Sequence, residues 1–137
     1  MPRVTVTRRL HFNAAHRVHN PELSDDENRR IYGKCNNPNW HGHNYVLDVS
    51  VSGEVDERTG YVMDLSELAR LVEREVLDKV DHRNMNVDVP FMQGINPTSE
   101  NIIVAIWRIL EPAVRPARLT RLRLRETENN FVEYEGD

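Results

Sequence analysis

His41-Gly42-His43 is a His-x-His pair. If it lies on a strand, both imidazoles leave one face and can reach a single ion. Gly42 between them removes the side chain that would point the other way. His16 follows a segment that could pair antiparallel with the residues after His43, which would bring a third imidazole alongside. Three neutral imidazoles with no cysteine set leave a fourth tetrahedral position open, the arrangement of a catalytic zinc rather than a closed structural one. A His-x-His pair alone reads as a polar strand end, and it is His16 that raises the metal reading.

Further reactive groups flank these histidines. Cys35 is the only cysteine, so no intrachain disulfide is possible. It sits in the polar loop Tyr32-Gly33-Lys34-Cys35-Asn36-Asn37-Pro38-Asn39. A lone cysteine is commonly an ordinary small residue, but a nearby metal ion or Lys34 would lower its pKa and make it a base or nucleophile. In Asp81-His82 the carboxylate could set the tautomer of the imidazole and raise its basicity. Glu126 shares strand parity with Leu122 and Leu124, so it points to the apolar side, where a lone carboxylate is costly and needs a partner. That partner is either an arginine or a ligand with a donor pair, such as the N–H edge of an aminopyrimidinone. Thr98, Ser99 and Glu100 most simply cap a helix, although free N–H groups there could hold a polar ligand edge.

The elements that must position these groups follow from periodicity. Val4, Val6, Leu10 and Phe12 alternate with Thr5, Thr7, Arg9 and His11, which predicts a first strand over 4–12. His19 to Trp40 has no sustained period and reads as a long loop with room for one helical turn. Tyr45, Leu47, Val49 and Val51 predict a second strand, antiparallel to the first. Asp64 and Glu67 resemble a capping box, followed by Leu65, Leu68, Leu71, Val72 and Val76 at helical spacing to about Lys79. Pro97-Thr98-Ser99 announces a second helix with the stripe Ile102, Ile103, Ile106, Ile109 and Leu110, stopped by Pro112. Leu122 and Leu124, then Phe131 to Tyr134, make a closing hairpin over Glu128-Asn129-Asn130. The expected fold is α+β, a four-stranded antiparallel sheet with two helices on one face in the order ββααββ. Its exposed edges invite pairing with further copies of the chain unless charges such as Arg121, Arg123 and Arg125 protect them.

Composition narrows the classes. The 137 residues predict a single domain over 1–137, since roughly 150 residues is the prior for one domain. The 18 Lys+Arg against 22 Asp+Glu give a net charge of -4, which argues against nucleic acid as a partner. Hydrophobic residues at 39% and charged at 29%, with mean hydropathy -0.65, fit a globular chain with a solvated surface. With no apolar run near the ~18 residues of a membrane span and no signal peptide, a cytoplasmic protein without membrane contact is expected. No glycine-rich phosphate loop, dinucleotide fingerprint or Gly-x-Ser-x-Gly elbow occurs, which speaks against nucleotide-driven transfer and serine hydrolysis.

The blocks His11-Phe12-Asn13-Ala14-Ala15-His16, Gly33 to Tyr45, Asp81 to Asn86, Pro97-Thr98-Ser99-Glu100-Asn101 and Arg125 to Asn130 resemble the 6-pyruvoyl-tetrahydropterin synthase family across the whole chain. The resemblance implies the tunnelling fold (T-fold), assembled as a hexamer from two stacked trimers. It also implies zinc on His16, His41 and His43, a catalytic thiol at Cys35, and Asp81 with His82 as the pair that completes proton transfer. Glu126 matches the carboxylate that anchors the pterin, with Thr98 and Glu100 in the motif that supports it. Active sites between subunits are implied too, so Cys35 and His82 can come from different chains.

The implied substrate is 7,8-dihydroneopterin triphosphate, converted to 6-pyruvoyl-tetrahydropterin with loss of triphosphate, a carbon–oxygen lyase reaction with Mg2+ accompanying the triphosphate. The competing activity is that of the 6-carboxy-tetrahydropterin synthases of queuosine biosynthesis. Five residues separate Cys35 from His41, as in the pyruvoyl enzymes. Trp40, however, stands where those usually have glycine, and Asn96 to Glu100 looks more like the carboxy enzymes. Outside this class stand a non-catalytic pterin- or metal-binding module and a histidine-ligated iron oxygenase. Arg17, Lys34 and Arg83 adjoin the motifs and are the candidate phosphate ligands.

Overall fold

The computed structural model describes residues 2–137. Strand β1 spans Arg3–His16 and β2 spans His41–Glu54, both longer than the alternating cores predicted. They pair antiparallel without interruption from Arg3↔Glu54 to His16↔His41. His16 is therefore the last residue of β1 and not a residue beyond it. Leu10, Phe12 and Ala14 on β1 and Tyr45, Leu47, Val49 and Val51 on β2 are buried on one face, the consequence of the two-residue period.

Two helices cover that face. Helix α2 covers 65–80: an α segment Leu65–Val72, a π-helical turn Glu73–Leu77 and a final α turn Asp78–Val80. Asp64 caps it by accepting from Ser66 N at 2.8 Å. The π turn resets the face so that Val72, Val76, Leu77 and Val80 are all buried, and the helix ends immediately before Asp81. Helix α3 (Ser99–Leu110) is capped by Thr98, which accepts from Asn101 N, and buries Ile102, Ile103, Ile106 and Leu110. α2 packs on β1, and α3 on β4 (Arg118–Arg125) and β5 (Phe131–Tyr134). A β-bulge opposite Ser50/Val51 shifts the β2–β4 register, so Leu119 as well as Leu122 and Leu124 reaches the core. Among the described residues no helix is long and apolar enough to cross a membrane.

Two features correct the expected four-stranded antiparallel arrangement. Arg83–Asn84 form a short strand, β3, parallel to Ala14 and Ala15 of β1, so the sheet is mixed and five-stranded in the order β3-β1-β2-β4-β5. The expected loop between β1 and β2 also holds a third helix, α1 (Asp25–Tyr32), and a 3-10 turn at Gly33–Asn36. Ser24 and Glu27 make a full capping box for α1. The helix has no apolar stripe because its one buried residue is Asn28. The Asn28 amide donates to the carbonyls of Asn20, Leu23 and Ser24 and accepts from Asn20 N, holding the segment by polar bonds instead of apolar area.

Candidate active site

The β1–β2 register places His16 directly opposite His41, and His43 opposite Ala14. Parity then sends all three imidazoles to the core face at the end of the sheet. Their ring centroids lie 4.5 Å (His16–His41), 4.8 Å (His41–His43) and 5.1 Å (His16–His43) apart. The nitrogens able to ligate an ion all lie within 4.8 Å of one another. His16 is 1% exposed, and its Nδ1 is 2.7 Å from Pro97 O. A carbonyl only accepts, so Nδ1 carries the proton and Nε2 keeps its lone pair for the site.

Three buried atoms lack any hydrogen-bond partner at this point: His16 Nε2, His41 Nδ1 and His43 Nε2. Buried polar atoms without partners are costly, and one from each imidazole of a close triad is the donor set that a divalent ion satisfies. The residues therefore fit a metal. Burial pushes the pKa of His16 and of His41 down, which favours the neutral ligating form. Beneath them Tyr45 stacks on Phe12 at 4.8 Å and meets His43 edge-on at 5.7 Å. Its buried hydroxyl is also unpartnered, and burial raises its pKa so that it stays a protonated donor. Sequence reasoning placed Tyr45 only in the strand core; its two-residue offset from His43 was the signal that it underlies the site.

A pocket of about 760 Å³ opens over the triad and is lined by His41, His43, Cys35 and Glu126. Gly33 (φ 58°, ψ -128°) turns the chain from α1 into the 3-10 segment that carries Cys35, a backbone conformation open to glycine. The bond from Val18 N to Cys35 O at 2.8 Å ties that segment to the chain beyond His16. Cys35 is partly exposed. Burial first, then Glu126, pushes its thiol up, opposite to the lowering expected from neighbouring positive charge.

Glu126 lies just past β4 and faces the pocket as its parity predicts. Its partner is not an arginine. Ser99 Oγ donates to Glu126 Oε2, and Oε1 stands 3.5 Å from His43 Nε2. Thr127 and Asn130, at the tip of the β4–β5 hairpin, line the pocket beside it. Thr98 uses its hydroxyl on the α3 cap, Glu100 is exposed, and neither lines the pocket. Ser99, which the sequence read as a cap residue, is the one that reaches the carboxylate.

Asp81 and His82 lie outside this pocket, at the β3 edge of the sheet. His82 has φ 61°, and this left-handed turn swings its ring back so that Nδ1 sits 3.0 Å from Asp81 Oδ2. Asn13 N donates to Asp81 Oδ1 at 2.9 Å. That bond first, and His82 second, hold the Asp81 carboxyl below its usual range. The carboxylate accepts a hydrogen bond from Nδ1–H, which leaves His82 Nε2 with the free lone pair. The imidazole is 81% exposed, so the described residues leave it largely uncovered.

The 6-pyruvoyl tetrahydropterin synthase family model matches residues 5–137. The chain is 43% identical over 132 residues to the 6-pyruvoyl tetrahydrobiopterin synthase of Homo sapiens, covering 96% of this chain and 91% of that one. Identity is 46% over 134 residues with the synthase of the same name from Dictyostelium discoideum, covering 98% and 97%. The solved structure of Caenorhabditis elegans 6-pyruvoyl tetrahydropterin synthase superposes with a TM-score of 0.93 at 44% identity, covering 100% of this chain and 98% of that one. The chain belongs to the 6-pyruvoyl tetrahydropterin synthase family.

Proposed function

We propose that the chain is a zinc-dependent lyase converting 7,8-dihydroneopterin triphosphate to 6-pyruvoyl-tetrahydropterin with release of triphosphate. The observation that carries this is the close triad of unpartnered imidazole nitrogens on His16, His41 and His43, of which His41 and His43 line one pocket with a thiol and an oriented carboxylate. The names of relatives that align over nearly the whole chain support the same reading.

Each residue has a definable task. Glu126, with Oε2 held by Ser99, takes the N–H edge of the pterin through its carboxylate. His16, His41 and His43 would hold the divalent ion, which when bound supplies polarisation of the substrate side-chain oxygens. Cys35 removes the proton from the side-chain carbon made acidic in this way. Because burial and Glu126 push its thiol up, its ionisation depends on positive charge in the pocket and on Glu126 being engaged with ligand. The Asp81-His82 pair handles the second proton through the free Nε2 of His82. The reaction is an internal redox rearrangement, in which side-chain carbons are oxidised and the pterin ring is reduced as triphosphate leaves, so no external electron carrier enters. Mg2+ accompanies the triphosphate.

The active unit in this reading is a homo-oligomer of single-domain tunnelling-fold subunits, a hexamer built as a dimer of trimers, with His82 of one chain serving Cys35 of another. The exposure of His82 supports it, as does the edge of β1, which β3 covers only at Ala14 and Ala15. Incubating zinc-loaded protein anaerobically with 7,8-dihydroneopterin triphosphate, with mass-spectrometric identification of products, tests the assignment. It predicts a 6-pyruvoyl product with free triphosphate. A 6-carboxy product with acetaldehyde would make the chain a carboxypterin synthase, and binding without turnover would make it a pterin-binding module.

A further inference from the structure

β2 carries the metal-facing histidines and is flanked by β1 on one side and β4 on the other. The pocket inherits that order. Glu126, Thr127 and Asn130 come from the β4 side, whereas Arg17 leaves the end of β1 and is joined in the lining by Lys34 and Arg29. Asp25 is the one carboxylate lining that second flank, so its formal balance is positive.

Arg17 is the best-positioned of the three. Its backbone is clamped by Asn86, whose Oδ1 accepts from Arg17 N at 2.7 Å and whose Nδ2 donates to Arg17 O at 2.9 Å. Its Nε donates to Asn36 O at 2.9 Å, one residue from Cys35. The guanidinium is therefore fixed at its base. Among the described residues its Nη1 and Nη2 atoms have no hydrogen-bond partner and no carboxylate in ion-pair range. Lys34 is exposed and forms no ion pair among the described residues, and Arg29 pairs only with the exposed Asp26. A half-buried guanidinium with a fixed Nε and free terminal N–H groups presents a planar fork suited to phosphoryl oxygens, and the flexible Lys34 and Arg29 add charge that adapts to a chain of them.

We propose that Arg17, Lys34 and Arg29 form a polyphosphate-binding arm of the pocket, with Arg17 as the fixed fork and Lys34 and Arg29 as mobile charges. This rests on the substrate reading above and specifies where the charged tail of that substrate lies: across the histidines from Glu126.

The test titrates zinc-loaded protein with inorganic tripolyphosphate in excess Mg2+, with bound zinc assayed before and after to exclude stripping. It compares wild type with R29Q/K34Q, with R17K, and with R58Q/R108Q, which removes the same charge from exposed positions elsewhere. R29Q/K34Q should weaken tripolyphosphate binding about tenfold, and R17K by a similar factor through loss of the fork, with R58Q/R108Q within about twofold of wild type. In turnover, R29Q/K34Q should lower kcat/KM by at least the same factor, since Lys34 and Arg29 supply both charge for the tail and positive charge in the Cys35 pocket. Equal tripolyphosphate affinity in wild type and R29Q/K34Q overturns the arm whether or not the pterin is turned over. Equal weakening by R58Q/R108Q overturns it too, by reducing it to net charge. Absence of pterin turnover by wild type, with tripolyphosphate binding still weakened only by the arm variants, leaves the arm standing and removes the substrate reading.

Discussion

The histidine pocket and the Asp81-His82 corner sit at the same end of the sheet, on either side of the last residues of β1, yet they are built on opposite terms. In the pocket the reactive nitrogens are buried and lack partners. At the corner the groups are exposed and already satisfied: Asn13 and His82 hold Asp81 from two directions. A buried unpartnered atom is stable only if something arrives to pair with it. An exposed, pre-oriented imidazole stays open to a further surface. The first region fits an ion and a small molecule, and in the proposed function the second is completed by another copy of the chain.

The sharpest way to break this contrast is to remove a ligand. His41→Ala should abolish stoichiometric zinc in the purified protein and lower turnover by more than the roughly 100-fold expected for loss of an outer-shell partner, whereas His82→Ala should leave zinc content unchanged. Equal zinc in both variants, by atomic absorption, would sink the division of labour. Next in size is Ser99→Ala. It leaves Glu126 Oε2 without its donor, and the loss of one hydrogen bond to a charged group, about 1.5–3 kcal/mol, predicts a rise in pterin KM of about tenfold or more. Ser99→Thr should restore it, because the hydroxyl is what matters.

A smaller effect concerns pH. Burial lowers the pKa of His16 and of His41, so on acidification the unfolded chain takes up protons that the folded metal-free chain refuses. Stability of the metal-free protein is then full above the unfolded histidine pKa, near 6.5, and falls as pH drops below it, at up to about 1.4 kcal/mol per pH unit for each group. Urea unfolding between pH 7.5 and 5.5 measures this, and His16→Gln should flatten the slope. Smallest is Trp40, which adopts φ 62°, a left-handed conformation that costs a non-glycine residue roughly 1–2 kcal/mol. Trp40→Gly should raise the unfolding midpoint modestly, by up to about 1 kcal/mol of stability.

What could be read from sequence follows the same contrast. The triad was legible in part: alternation fixes parity, and antiparallel pairing allows His16 to come alongside the His-x-His pair, but the register that sets His16 opposite His41 came from the structure. Glu126 was legible as a carboxylate aimed at the apolar face. Helix α1 was hidden because its buried residue is Asn28, which leaves no apolar period to find, although the capping pair Ser24 and Glu27 was there to be seen. Strand β3 was hidden because two residues carry no pattern and its pairing depends on the turn at His82. Ser99 was masked by a competing local role, since helix-opening residues read as caps. The facing of Asp81 and His82 was undecidable for adjacent residues until the positive φ of His82 settled it.

In the proposed function the two regions form one active site contributed by different copies of the chain. The direct measurement is to mix Cys35→Ala and His82→Ala proteins, each inactive alone, under conditions that exchange subunits, and assay pterin turnover. If the site spans two chains, a one-to-one mixture regains roughly a quarter of wild-type activity, because random assembly in a closed symmetric oligomer pairs an intact Cys35 with an intact His82 at that frequency. No recovery, with subunit exchange verified by mass spectrometry, would contradict a site shared between chains.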